Sequence, residues 1–215
     1  MRITITGRIT VAKINSVTLL YFSPTGTTKR ILEAISEGLG ADAVEHMDMT
    51  LHGGKITDNA KPLDDLTVIG VPVYTGRVAL PAERGLQQLK AKDTPAVIVA
   101  VYGNREYEDA LIELRDISIK AGFTPIAGAA FVGEHSFSTK DTPIAEGRPD
   151  TEDLSRAAMF GKMVREKLVG RKSISSKARL ELPGNTLYRE RGPLPKASPE
   201  TNEEKCLHCG KCVEV

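Results

Sequence analysis

The sequence predicts an α/β domain built on a parallel sheet with helices on both faces, and three observations carry that expectation. Short apolar runs rich in Val, Ile and Leu recur between residues 16 and 131, bounded by Gly, Pro or Asp. Segments with helical apolar spacing separate them, and strand alternating with helix is the pattern of a parallel sheet. The runs read as buried parallel strands, covered on both faces.

Met1 to Val11 carries Ile3, Ile5, Ile9 and Val11 at period two around Gly7, so residues 1–15 read as an N-terminal extension or an extra strand. Val17 to Tyr21 is the first strand of the main domain, and Ile31, Leu32, Ile35 and Leu39 share one face of the helix after it. Ala43 to Met47 is the second strand. Leu66 to Val71 is the third, and the next helix starts at Pro81, whose fixed φ suits a first turn. Ala96 to Tyr102 is the fourth strand, leading to a helix with Ala110, Leu111, Leu114, Ile117 and Ala121 on one face. Thr124 to Phe131 is the fifth. The last helix carries Leu154, Ala157, Ala158, Gly161, Val164 and Leu168, with Asp150 or Thr151 as N-cap after Pro149. Past residue 169 the apolar period stops and Pro183, Pro193, Pro195 and Pro199 punctuate a basic stretch. Residues 16–169 therefore read as the domain, 170–205 as a linker and 206–215 as a separate tail.

Composition narrows the function. A chain of 215 residues has room for one full domain and a small appendage. With 40% hydrophobic and 27% charged residues it is an ordinary globular mixture. The apolar stretch Ala96 to Val101 is strand-sized, which predicts no membrane span. The alternating first residues lack the apolar core of a secretory signal, so the expected address is the cytoplasm. Lys and Arg number 29 against 28 Asp and Glu, a net charge of +1 that offers no field for nucleic acid. All three cysteines lie at the end, as Cys206, Cys209 and Cys212, which excludes a cysteine nucleophile from the main domain.

Three loops at the carboxyl ends of predicted strands carry the chemistry. In Ser23-Pro24-Thr25-Gly26-Thr27-Thr28-Lys29, helix N–H groups and the hydroxyls of Ser23, Thr25, Thr27 and Thr28 can converge on a phosphate monoester. Taken alone, the segment is equally a polar turn capping the helix. It matches neither a Walker A loop nor a dinucleotide G-x-G-x-x-G. Pro72 to Arg77 and Tyr102 to Tyr107 each combine an aromatic, a glycine that admits a ligand close to the backbone, and polar groups. Both fall on the same rim of the sheet, so a planar aromatic ligand with a phosphate tail suits all three loops. Glu134 to Ser138 reaches that rim too, as a ligand contact or an ordinary loop. His46 and His52 flank a short strand and read as solvent-exposed.

With S-x-T-G-x-T at Ser23 to Thr28, P-V-Y-x-G-R at Pro72 to Arg77 and V-Y-G-N-R-x-Y-x-D-A-L at Val101 to Leu111, residues 16 to about 168 resemble a flavodoxin. The resemblance implies a flavodoxin-like, doubly wound, five-stranded parallel sheet of order 2-1-3-4-5, with FMN as cofactor. By the same resemblance Ser23, Thr25, Gly26, Thr27 and Thr28 hold the 5′-phosphate. Pro72, Val73, Tyr74, Thr75 and Gly76 line one side of the isoalloxazine ring, and Tyr102, Gly103, Asn104 and Tyr107 the other. The Thr75–Gly76 peptide is placed to offer its carbonyl to N5–H after reduction. The chain departs from the family in having no Trp and no acidic excess, which favours a redox partner near at hand over a diffusing carrier role.

The tail Cys206-Leu207-His208-Cys209-Gly210-Lys211-Cys212 looks like the opening of a bacterial C-x2-C-x2-C-x3-C-P motif. Three thiolates at that spacing ligate three irons of a [4Fe–4S] cluster, and the fourth cysteine is expected just past Val215. A zinc site completed by His208 is the rival reading. The whole pattern resembles flavodoxin and ferredoxin joined in one protein, with clusters complete only in a longer form of the chain. The expected function is electron relay between FMN and that ferredoxin module or another redox protein. The basic residues of the linker read as a solvated charge run, with Arg171, Lys172, Lys177 and Arg179 alternatively a dock for an acidic ferredoxin. The alternatives are an FMN-dependent reductase of a quinone or other organic acceptor, and a flavin-free docking scaffold.

Overall fold

Alternation along the strands assigns each residue to one side of the sheet, and that division organises the molecule. The computed structural model describes residues 14–51, 65–169, 180–192 and 200–210. In chain order these contain β1 (Ser16–Tyr21), α1 (Thr27–Leu39), β2 (Ala43–Asp48), β3 (Leu66–Tyr74), β4 (Arg77–Val78), α2 (Leu80–Leu86), β5 (Thr94–Tyr102), α3 (Ala110–Lys120), β6 (Phe123–Val132) and α4 (Thr151–Val169). The sheet order is β2-β1-β3-β5-β6, with every neighbouring pair parallel. Counting only these five strands, that is the expected 2-1-3-4-5. The short β4 pairs antiparallel with the end of β3.

Val17 and Leu19 of β1, Val68 of β3, Val97 and Val99 of β5 and Ala127 and Ala129 of β6 belong to one buried layer with α1 and α4. Their sequence neighbours Leu20, Ile69, Val71, Ile98 and Ala100 point the other way, into a layer with α2 and α3. Burying one such Val, Leu or Ile side chain contributes about 1.5–3 kcal/mol, so a sheet covered on both faces is strongly favoured. The helices α1 and α4 touch backbone to backbone: a Cβ on Gly161 would stand 2.1 Å from the Ile35 carbonyl oxygen.

Asp150, not Thr151, caps α4. Its carboxylate accepts from the Asp153 N–H at 2.9 Å, and the Asp153 carboxylate accepts from the Asp150 N–H at 3.1 Å. Arg148 closes the arrangement on Asp153. No helix among the described residues is long and apolar enough to cross a membrane.

Three segments differ from the sequence reading. Ala43 to Met47, read as a buried strand, lies in β2 at the end of the strand order and is exposed along nearly its whole length. Pro72 to Arg77 is not wholly a loop: Pro72, Val73 and Tyr74 continue β3, and only Thr75 and Gly76 turn, both at positive φ, before Arg77 pairs back with Tyr74. A two-residue turn with two positive φ values matches the strand twist of a hairpin. Within the segment read as a linker, residues 180–192 pack against α3. Leu180 is buried and its carbonyl accepts from Arg115 at 2.9 Å, while Leu182 packs on the second apolar layer. His46 is exposed, with the Tyr21 hydroxyl 3.3 Å from its Nδ1. The period-two run at Ile3 to Val11, His52, the basic residues Arg171 to Arg179 and Cys212 lie outside the described residues.

Candidate functional site

The strand order reverses between β1 and β3, and the crevice at such a point is where open α/β sheets bind ligands. Here the carboxyl ends of β1, β3, β5 and β6 surround a cleft of about 620 Å³. That is within the range of small-ligand and cofactor sites, about 300–1,000 Å³.

The phosphate loop builds one end. Gly26 takes the N-cap position of α1 at φ 77°, a conformation that costs glycine little, and has no side chain of its own to cap the helix. Ser23 shapes the loop, its carbonyl accepting from the Gly26 N–H and its hydroxyl from the Lys29 N–H, each at 3.1 Å. The Thr25 and Thr27 hydroxyls lie 3.1 Å apart. Thr28 Oγ1 is buried without a hydrogen-bond partner among the described residues. A buried hydroxyl left unsatisfied costs about 1–3 kcal/mol, and folded proteins keep few of them. An anion at the helix mouth would accept from that hydroxyl together with the Thr27 and Thr28 N–H groups at the start of α1. The residues present therefore fit a phosphate group.

The walls follow. Pro72, Val73, Tyr74, Thr75 and Gly76 line one side, and Tyr102 and Gly103 another. Burial pushes the Tyr74 phenol above its ordinary value, although the residue is 42% exposed. Gly76 is confined: its carbonyl accepts from the Asp109 N–H at 3.1 Å, and a Cβ there would stand 2.3 Å from Glu108 Oε2. Tyr107 stands behind the wall, edge-on to Tyr102 with centroids 5.4 Å apart, and Asn104 sits in the turn at φ 59°. Thr25, Thr27 and Thr28 thus meet the two ring loops in one cleft, while Ser23, Gly26, Asn104 and Tyr107 shape the loops without lining it.

Other lining residues carried weaker sequence signals or none. His135 packs on Gly103, where a Cβ would be 2.3 Å from its ring. Its Nδ1 accepts from the Phe137 N–H at 3.0 Å, which leaves the proton of the neutral ring on Nε2. Phe137 lies at the mouth, 78% exposed. The topology rule that brought Glu134 to Ser138 to the rim could have singled it out. Arg189 also lines the cleft. It comes from the segment that no apolar period marks. Arg77, inside the P-V-Y-x-G-R motif, turns away and pairs with Glu113 at 2.6 Å.

Cys206 and Cys209 are free thiols in the described tail, and Cys206 Sγ lies 4.0 Å from His208 Nδ1.

No protein-family model and no curated protein sequence matches the chain. Solved structures do match. A flavodoxin from the domain Archaea superposes with a TM-score of 0.50 at 18% identity, over 71% of this chain and 98% of that one. The flavodiiron core of a Synechocystis protein gives 0.51 at 19% identity, over 73% of this chain and 36% of that one. Rubredoxin oxygen:oxidoreductase from Desulfovibrio gigas gives 0.50 at 14% identity, over 74% and 37%. The chain spans just over a third of the latter two. The fold is flavodoxin-like.

Proposed function

We propose that the domain binds FMN in this cleft and serves as an electron-transfer flavoprotein. The observation that carries the reading is the Thr28 hydroxyl, buried without a partner among the described residues at the start of α1, at one end of a cleft walled by Tyr74 and Tyr102. Bound FMN would supply one- and two-electron redox chemistry at its ring. The chain's own part is to hold the phosphate monoester with N–H and O–H donors from Thr25 to Thr28 and to flank the ring with Tyr74 and Tyr102. A terminal monoester suits a loop that opens directly onto a helix N-terminus, which favours FMN over FAD. The exposed edges of Tyr74 and Phe137 leave the ring reachable by a partner.

The electron partner in this reading is an iron–sulfur module begun by Cys206, Cys209 and Cys212, whose thiolates would hold three irons of a [4Fe–4S] cluster. The expected location is the cytoplasm. A reductase of a quinone or other organic acceptor shares the same open mouth. Steady turnover of such an acceptor at a rate independent of added redox proteins would favour it. The basic test is to add FMN to purified apoprotein. A shifted flavin absorption band with one-to-one stoichiometry is expected, and unperturbed free-flavin spectra at micromolar protein would leave only the docking scaffold.

A further inference from the structure

Residues 180–192 form a strap that is pinned along its length. Asn185 donates from its N–H and its Nδ2 to Asp109 Oδ1 at 2.8 and 3.1 Å, and the Arg189 N–H donates to Asp109 Oδ2 at 2.6 Å. The Tyr188 hydroxyl donates to Asp116 at 2.6 Å, and the Arg77 guanidinium lies 4.9 Å over its ring. The Arg189 carbonyl accepts from Arg77, and Arg191 donates to the Val78 carbonyl at 2.7 Å, to Glu83 and to Glu113. Gly184, at φ 126°, lets the strap cross Ile112, whose Cγ2 a Cβ would approach to 2.6 Å. The outcome is that the Arg189 backbone is held from both sides while its side chain reaches the cleft and pairs with Glu108 at 2.6 Å.

We propose that Arg189 is a cofactor-facing cation of the cleft, delivered by the strap, that favours reduced over oxidised flavin and so raises the potential of the bound ring. The proposal rests on the FMN reading above. Reduction adds negative charge to the ring system, and a cation held near it lowers the free energy of that state. The other charged groups that line the cleft are Arg105, Glu106 and Glu134. Arg105 also pairs with Glu108, at 2.5 Å, with its side chain 71% exposed against 52% for Arg189, so water screens both fields in part, and Arg189 is set apart by a backbone held at Asp109 and Arg77. Glu108 receives both cations, and removing Arg189 changes the local field by one full charge toward negative. The strap holds Arg189 in place before any ligand arrives, so little rotamer freedom is lost on binding.

The experiment compares FMN dissociation constants for oxidised and reduced flavin, with midpoint potentials by reductive titration, in the full chain and in Arg189→Gln, Arg189→Lys and Arg105→Gln. In Arg189→Gln the preference for reduced flavin is expected to fall by about threefold to tenfold, tenfold being about 30 mV for the two-electron couple of oxidised and fully reduced flavin. Lys should retain most of the preference, and Arg105→Gln should change it less than Arg189→Gln. Equal ratios in wild type and Arg189→Gln, or a Lys variant indistinguishable from Gln, would overturn the role of this charge while leaving FMN binding intact. Wild-type chain that binds no FMN removes the cofactor reading itself and this proposal with it. Because the Arg189 side chain is 52% exposed, the variants are expected to fold, and apoprotein melting curves matching the wild type would establish that.

Discussion

Thr28 shows how one atom links stability to ligand binding. Its methyl group packs toward Gly70, where a Cβ would come within 2.9 Å of Thr28 Cγ2, while its hydroxyl is buried and unpaired. Thr28→Val keeps the shape and deletes the hydroxyl. The apoprotein should become more stable by about 1 kcal/mol, because an unsatisfied polar atom is removed. FMN should bind more weakly by about 1–3 kcal/mol, the usual worth of a hydrogen bond to a charged group. Urea unfolding reads the first change and flavin titration the second. Unchanged affinity would remove Thr28 from the phosphate site.

At the scale of elements, α3 is the anchor for β4, α2 and the strap. Glu113 of α3 is 2% exposed and accepts from the Arg77 and Arg191 guanidinium groups and from the Val78 N–H at 2.8 Å. Breaking such a buried pair from one side costs about 3–5 kcal/mol because the partner charges remain. Asp109, in the cap position of the same helix, holds the strap. Burial opposes its ionisation, but the donors from Asn185 and Arg189 outweigh burial and hold the carboxyl below its ordinary value of 3.8. A depressed folded value means that this anchor is fully present above pH 3.8 and is lost as pH falls through the lower folded value. The Asn185 side-chain and Arg189 amide resonances should therefore keep their positions at mildly acidic pH and move together below 3.8. Movement of both near neutrality would assign the anchor to another group.

For the whole molecule, the cleft draws on four strand ends and the strap, so a ligand there braces segments far apart in the chain. A ligand that binds only the folded state stabilises it by about 2.7 kcal/mol at one hundred times its dissociation constant. For a domain of this size that corresponds to a rise in Tm of roughly 5–10 °C. FMN should give that rise. Riboflavin, without the phosphate, should give much less, since it brings no anion to the start of α1. Equal shifts for the two flavins would move the binding energy away from the phosphate loop.

The alternation of apolar runs and helical faces was legible in the sequence because strand and helix periods are local: each is set by residues two to four positions apart. The phosphate loop was legible for the same reason, since Ser23 to Lys29 folds on itself and onto the first turn of α1. The ends of elements were read less well, as with Pro72 to Tyr74, because whether such residues extend a strand depends on β4 and β5 standing beside them. The tertiary structure alone decided that Arg77 serves Glu113 and not the cleft, and that Arg189 serves the cleft and not a linker. Arg189 meets Asp109 across 80 positions of sequence. No local period encodes such a contact, because it exists only once the sheet has brought the carboxyl ends of its strands to one rim and the turn leading into α3 has presented Glu108 and Asp109 there.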